Sequence, residues 1–250
     1  MNAVIDLHKP RVRVTRRATD SVAAPTVRKP LPATPASLVA AGSRVVLVAP
    51  HPDDEIIAMG ATIAALADAG HEVLIVAVTD GEGSHPQSAR WTPESLRETR
   101  PGETRLALQR LGIDARVLRL GLPDGGLSQH EKALAERLPI EPNDTVFVTW
   151  RHDGHADHEA CARASLAACR TVGASCIEFP VWSLVPSHPA HARLRHRMLQ
   201  EVRVPAALVE AKRHAMAAFA SQLLADGDTP PVLHAEALAS WLGGPEWVMA

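Results

Sequence analysis

The feature that most constrains this chain is a repeated alternation. Short β-branched apolar runs take turns with longer segments whose apolar residues recur at helical spacing. Residues 44–49 (RVVLVA), 72–79 (EVLIVAVT), 115–120 and 145–150 have the length and composition of strands buried on both faces. The spacing predicts helices over 54–69, ended by Gly70, over 93–111 with a Pro101-Gly102 irregularity, over 128–138 and over 158–172. A fifth strand is expected over 176–182. Strand, helix and strand in succession make right-handed crossover units. The expected fold class is therefore α/β: a Rossmann-like, mainly parallel sheet with helices on both faces, in a single domain. Further on, 197–204 reads as an edge strand and 205–224 as a long amphipathic helix. No repeat of solenoid period is visible.

A length of 250 residues suits one such domain with an extension. Residues 1–40 are the extension: Arg11, Arg13, Arg16, Arg17, Arg28 and Lys29 are scattered among Pro25, Pro30, Pro32 and Pro35 without apolar periodicity. Disorder is the expectation there, with the folded domain over 41–250. Acidic residues and scarce serine argue against a transit peptide. The formal net charge of −2 argues against a face dedicated to nucleic acid. No apolar run is long enough for a membrane span, and no apolar core of a secretory leader is present. Cys161, Cys169 and Cys176 form no C-x-x-C pair, which points to a reducing cytoplasm. Oligomeric state is not legible.

In sheets of this class, ligands bind beyond the carboxyl ends of the strands. The informative loops are thus 50–54, 80–93, 121–127, 151–158 and 183–196. The first holds His51-Pro52-Asp53-Asp54-Glu55. A dinucleotide site would need a glycine-rich turn here, so a nucleotide-binding protein is disfavoured. An imidazole and two carboxylates suit a divalent cation. His51 and Asp54 sit three residues apart across a strand-to-helix turn and can converge, with Asp53 beside them where a base for an attacking water belongs. The loop after the fourth strand reads Arg151-His152-Asp153-Gly154-His155-Ala156-Asp157-His158, and His155 and His158 repeat the spacing. The bland alternative for Asp53, Asp54 and Asp157 is helix capping. Two clusters at equivalent topological positions argue against coincidence. Glu55 is read as complementing a helix dipole. His152, Asp153, His188, His191 and His196 are read as surface residues, and Glu82, His85 and the loop to Trp91 as a rim or a solvated connection.

The H-P-D-D-E of residues 51–55 and the H-x-D-H of 155–158 resemble the hallmarks of the LmbE-like (PIG-L) metal-dependent N-acetylglucosaminyl deacetylases. Weaker pieces follow in the family's order over roughly residues 45–223: Gly81-Glu82-Gly83, Arg100-Pro101-Gly102-Glu103, Leu111-Gly112 and Pro123-Asp124-Gly125. The family's later K-x-x-A and H-x-S-Q stretch is matched only in part, because Phe219 or Ala220 stands where its histidine is usual; that helix is expected to be structural. The resemblance implies His51, Asp54 and His158 as ligands of one divalent metal, zinc or else ferrous iron. It implies Asp53 as general base, His155 as the imidazole that stabilises the oxyanion or assists the leaving amine, and Asp157 as the carboxylate that orients a histidine. Arg100, Asp124 and Glu82 are implied substrate contacts. The implied reaction is hydrolysis of an N-acyl, specifically N-acetyl, group on an amino sugar or GlcNAc-containing conjugate. The alternatives are an amidase of cysteinyl-sugar thiol conjugates and a non-catalytic, metal-stabilised carbohydrate-binding domain. The expected partner is thus a small amino-sugar substrate.

Overall fold

Five parallel strands, β1 (Val45–Ala49), β2 (Val73–Ala77), β3 (Arg116–Arg119), β4 (Thr145–Thr149) and β5 (Ser175–Phe179), form one sheet in the order β3-β2-β1-β4-β5. The computed structural model describes residues 30–195 and 198–250. Successive side chains of a strand face opposite sides of a sheet. Val45, Leu47 and Ala49 accordingly enter one core, while Val46 and Val48 enter a second core on the other face. Apolar residues on both faces are what continuous β-branched runs require, and the expected α/β class is observed.

The crossovers are α2 (Asp54–Asp68), α3 (Pro93–Leu111), α4 (Glu131–Arg137) and α5 (Ala156–Val172), preceded by a short α1 (Pro35–Leu38). Strand order reverses between β1 and β4, which pair directly with Val48 opposite Val148. Loops leaving those two strands therefore open at one crevice. Residues about a hundred positions apart in sequence meet there because their strands are neighbours.

The C-terminal third departs most from expectation. Only Leu199–Val202 of the anticipated edge strand is extended, and this β6 joins the five-stranded sheet at neither edge. It pairs antiparallel with β7 (Glu246–Met249). The anticipated long helix is two, α6 (Ala206–Met216) and α7 (Ala220–Leu223), parted at Phe219, which is fully buried. Ser221 in α7 is held away from the α6 axis by Glu103 of α3, whose carboxylate accepts the Ser221 N–H and hydroxyl at 2.7 Å each. A further helix, α8 (Ala235–Leu242), lies beyond.

This C-terminal layer covers the outer face of α2, which is why α2 is buried on nearly every side rather than along one stripe. Glu246 of β7 accepts from the Ala61 and Thr62 N–H groups at 2.9 and 2.7 Å and pairs with Lys212 of α6 at 2.9 Å. Both side chains of that pair are buried, so each charge depends on the other.

Residues 1–29 of the expected disordered extension lie outside the described residues, as do His196 and Arg197. Within the described part of the extension, Ala33 and Val39 are buried, and Ala33 bridges to Val202. Ala33 is held there by backbone hydrogen bonds to Glu201 of β6 and to Arg203 just after it. Among the described residues no helix is long and apolar enough to cross a membrane.

Candidate active site

Asp53 has φ 120° and ψ −32°, the one positive φ on a non-glycine residue among the described residues. A side chain there carries strain, which persists only where surrounding contacts over-determine it. Three contacts do so. The Glu55 carboxylate accepts the Asp53 N–H at 3.0 Å, and Arg100 donates both to the Pro52 carbonyl and, at 3.0 Å, to Asp53 Oδ2. Arg100 also donates to Gly81 O at 2.9 Å. Gly81 must be glycine, since a Cβ there would lie 1.7 Å from an Arg100 nitrogen.

The two sequence clusters meet. Asp54 Oδ2 lies 3.3 Å from His51 Nδ1 and 3.3 Å from His158 Nε2. The far nitrogen of each imidazole faces a carboxylate. His51 Nε2 lies 3.1 Å from Asp124 and 3.5 Å from Asp157, and His158 Nδ1 is 2.9 Å from Asp153. A carboxylate behind an imidazole fixes its tautomer and leaves the opposite nitrogen for a cation. Both free nitrogens then point at Asp54, and the buried His158 Nε2 has no well-formed hydrogen bond. The nitrogens of His51, His155 and His158 also lie within 4.8 Å of one another.

Electrostatics describe the same convergence. Burial works against a charged His158, but Asp54 and Asp153 outweigh it and raise its pKa to about 9. His51 is likewise raised against burial by Asp124, Asp157 and Asp54. Asp54 is held well below the ordinary carboxylate range; burial opposes this and the two imidazoles prevail. Two imidazoles with raised pKa flanking a carboxylate with a lowered one mark a place that suits a cation. The donor set of two imidazoles and one carboxylate fits zinc or ferrous iron.

Burial pushes Asp53 up to about 7 while Arg100 draws it down. A dication nearby acts in the same sense as Arg100 and favours the ionised base. His155 is lowered to about 4, first by burial and then by His158 and His51. A cation held nearby would act in the same sense and favour the neutral imidazole. Burial, and then Asp53, push Glu55 up to about 8.

The remaining sequence candidates fall as follows. Asp157 is fully buried and accepts the Gly125 and Leu127 N–H groups at 2.7 and 3.0 Å while facing His51. Asp124 lines the cavity, with one oxygen on His51 and the other accepting Gly83 N–H at 2.8 Å. Arg100 also lines the cavity; it is 2% exposed and donates to Gly81 O and to Asp53 Oδ2. Glu82 is not among the lining residues; it pairs with Arg97 at 3.3 Å.

Several functional residues escaped the sequence reading. Asp153, taken for a surface residue, is fully buried. Its carboxylate holds His158 and accepts the N–H groups of Val181, Trp182 and Ser183 at 2.9, 3.0 and 3.0 Å. Its place five residues before His158 on the same loop was the available signal. Glu55, assigned to a helix dipole, supports the backbone of Asp53. Gln222, on a helix expected to be structural, lines the cavity. Val181, Trp182, Leu233 and Trp241 line it too, and nothing in their spacing marked them. Asp153→Asn is expected to weaken zinc affinity by about 10- to 100-fold, because an amide presents a donor where only donors point at it. Chelator competition on the purified variant measures this; an unchanged affinity would contradict the role.

Residues 46–169 match the family model described as PIG-L, GlcNAc-PI de-N-acetylase. A curated relative from Kineococcus radiotolerans, a 1D-myo-inositol 2-acetamido-2-deoxy-alpha-D-glucopyranoside deacetylase, is 42% identical over 86 residues, covering 33% of this chain and 23% of that one. Across such relatives the chain spans between 23% and 52% of their length. Among solved structures, a triple mutant of a deacetylase of teicoplanin biosynthesis superposes with TM-score 0.62 at 16% identity, over 83% of this chain and 97% of that one. The 4-carboxy-2-hydroxymuconate hydratase GalB from Pseudomonas putida does so with TM-score 0.52 at 19% identity, over 72% and 80%. The architecture therefore hosts more than one reaction, and function must be argued from the site.

Proposed function

The chain carries a PIG-L, or LmbE-like, domain over residues 46–169, and on that premise we propose that it removes the N-acetyl group from an amino sugar or GlcNAc-containing conjugate at a divalent metal ion. The observation that carries this reading is the convergence of His51, Asp54 and His158 on one point with a strained, Arg100-anchored Asp53 beside it. Relatives described as deacetylases of acetamido sugars support the substrate class. We assign the catalytic domain to residues 41–250, with 33–40 packed against it.

His51, Asp54 and His158 would hold the ion, which would supply Lewis acidity and lower the pKa of a water from ~15.7 toward ~7. Asp53 receives the proton of the attacking water. Arg100 holds Asp53 Oδ2 at 3.0 Å, and Asp53 lines the cavity. His155, neutral in its buried surroundings, hydrogen-bonds the acyl oxygen as negative charge develops there. A donor of this kind is worth ~2.7–4 kcal/mol. Because His155 begins without a spare proton, Asp53 returns the captured proton to the leaving nitrogen. Asp153, Asp124 and Asp157 hold the two ligand imidazoles from behind. The free thiols of Cys161, Cys169 and Cys176 fit a reducing, cytoplasmic setting.

The test is an assay of the zinc-loaded chain on methyl 2-acetamido-2-deoxyglucopyranoside. Acetate and free amine appearing in equal amounts are expected. Binding of the glycoside with no turnover would point to a carbohydrate-binding domain and contradict the proposal.

A further inference from the structure

The cavity over the site, about 400 Å³, is lined by two kinds of residue. Ser84, Asp124 and Gln222 offer hydrogen-bonding groups, whereas Val181, Trp182, Leu233 and Trp241 are apolar and aromatic. A pyranose has the matching asymmetry: a rim of hydroxyls and a face of C–H groups that packs on an aromatic ring. An acyl chain is apolar on every side and would lay itself against Asp124 and Gln222 at a desolvation cost.

Trp182 is built to be that ring. It is half-buried, and it packs edge-on against Trp241 with centroids 5.2 Å apart at 80°. Trp241 is 3% exposed and tied by its indole N–H to Val181 O at 2.9 Å, so the support behind Trp182 is rigid. His188 flanks Trp182 at 5.7 Å. The backbone N–H of Trp182 donates to Asp153 Oδ2, and the same oxygen lies against His158 Nδ1. One carboxylate oxygen thus fixes the aromatic wall and a metal-binding imidazole in a common frame. A ring stacked on Trp182 would be held in register with His158, and orientation of this kind is what a reacting group requires.

We propose that Trp182 is the specificity-determining residue of this site, stacking the C–H face of a pyranose and so selecting an N-acetylated sugar over an acyclic N-acetyl amine. The assignment rests on the deacetylase reading for the reaction, but binding tests it separately. Calorimetric titration of the zinc-loaded full chain uses two probes, methyl 2-acetamido-2-deoxyglucopyranoside and acetohydroxamate, the second of which addresses only the metal end. Trp182→Ala is expected to weaken the glycoside about tenfold, the scale of one lost aromatic contact, with acetohydroxamate affinity kept within about twofold. Trp182→Phe, which keeps a flat ring, is expected to recover most of the loss. Glycoside affinity unchanged in Trp182→Ala overturns the proposal. So does an equal loss for both probes that Trp182→Phe fails to recover, since it reports a general collapse of the wall. If the wild-type chain binds the glycoside through Trp182 yet releases no acetate, the deacetylase reading fails and the stacking role stands.

Discussion

Asp53→Asn is expected to lower kcat by about 10²- to 10⁴-fold, the usual worth of a positioned general base, with bound zinc unchanged. Asparagine keeps the shape and can still accept from Arg100, so the buried guanidinium retains the Pro52 and Gly81 carbonyls and one side-chain partner. What is lost is the capacity to take a proton. Asp53 is also an unusual place for a carboxylate to be wasted. Its backbone is strained at φ 120°, its side chain is buried, and Glu55 and Arg100 are both committed to holding it. A cap alone would not need this support, since helix caps adopt ordinary extended geometry. Stopped-flow or steady-state acetate release with metal analysis of the same sample measures the effect. Near-normal turnover with zinc still bound would defeat the base assignment and the proton route through Asp53.

Asp54→Ala is expected to remove metal binding and, with it, activity by more than the 10–100-fold that partners behind a ligand are worth. Among the described residues, Asp54 is the only anion that faces both ligand imidazoles at 3.3 Å. Without it the two nitrogens offer no charge to a dication. Metal binding by the wild type is also expected to release protons. In the wild type His158 carries a pKa raised to about 9 by Asp54 and Asp153 against burial, so at neutral pH a metal must displace its proton. Affinity therefore falls as pH drops below that value. In Asp54→Ala the raising influence is weakened, and the imidazole is neutral over more of the range. Titration in buffers of different ionisation enthalpy reads the protons released by the wild type. Retention of stoichiometric zinc by the variant would show that His51, His155 and His158, whose nitrogens also lie close together, form the true ligand set.

Much of this site was legible because its parts are periodic or local. The strands announced themselves by β-branched runs, and the rule that ligands gather at strand carboxyl ends selected the loops holding His51 and His155. The spacing of His51 to Asp54 and of His155 to His158 survives intact in space. What could not be read is what depends on burial and on distant partners. Arg100 was expected at the substrate from the resemblance and does line the cavity, but its bonds to Gly81 O, Pro52 O and Asp53 join residues 19 to 48 positions apart and no local pattern shows them. Asp153 looked solvated because its neighbours are polar; its four hydrogen-bond donors from residues 181–183 become visible only when β4 and β5 are paired. Beyond the helical period over 205–224, nothing local marks the ion pair of Lys212 with Glu246 or the contact of Trp182 with Trp241, which arise from tertiary packing.

The central claim is that a divalent metal at His51, Asp54 and His158 performs the chemistry. It is tested most directly by measuring the metal content of the purified chain beside its acetate release from methyl 2-acetamido-2-deoxyglucopyranoside, before and after chelation. The account predicts about one equivalent of a zinc-type ion, loss of turnover as the metal is stripped, and its return when zinc is added back. Acetate release that continues undiminished in a chain stripped of metal would contradict it.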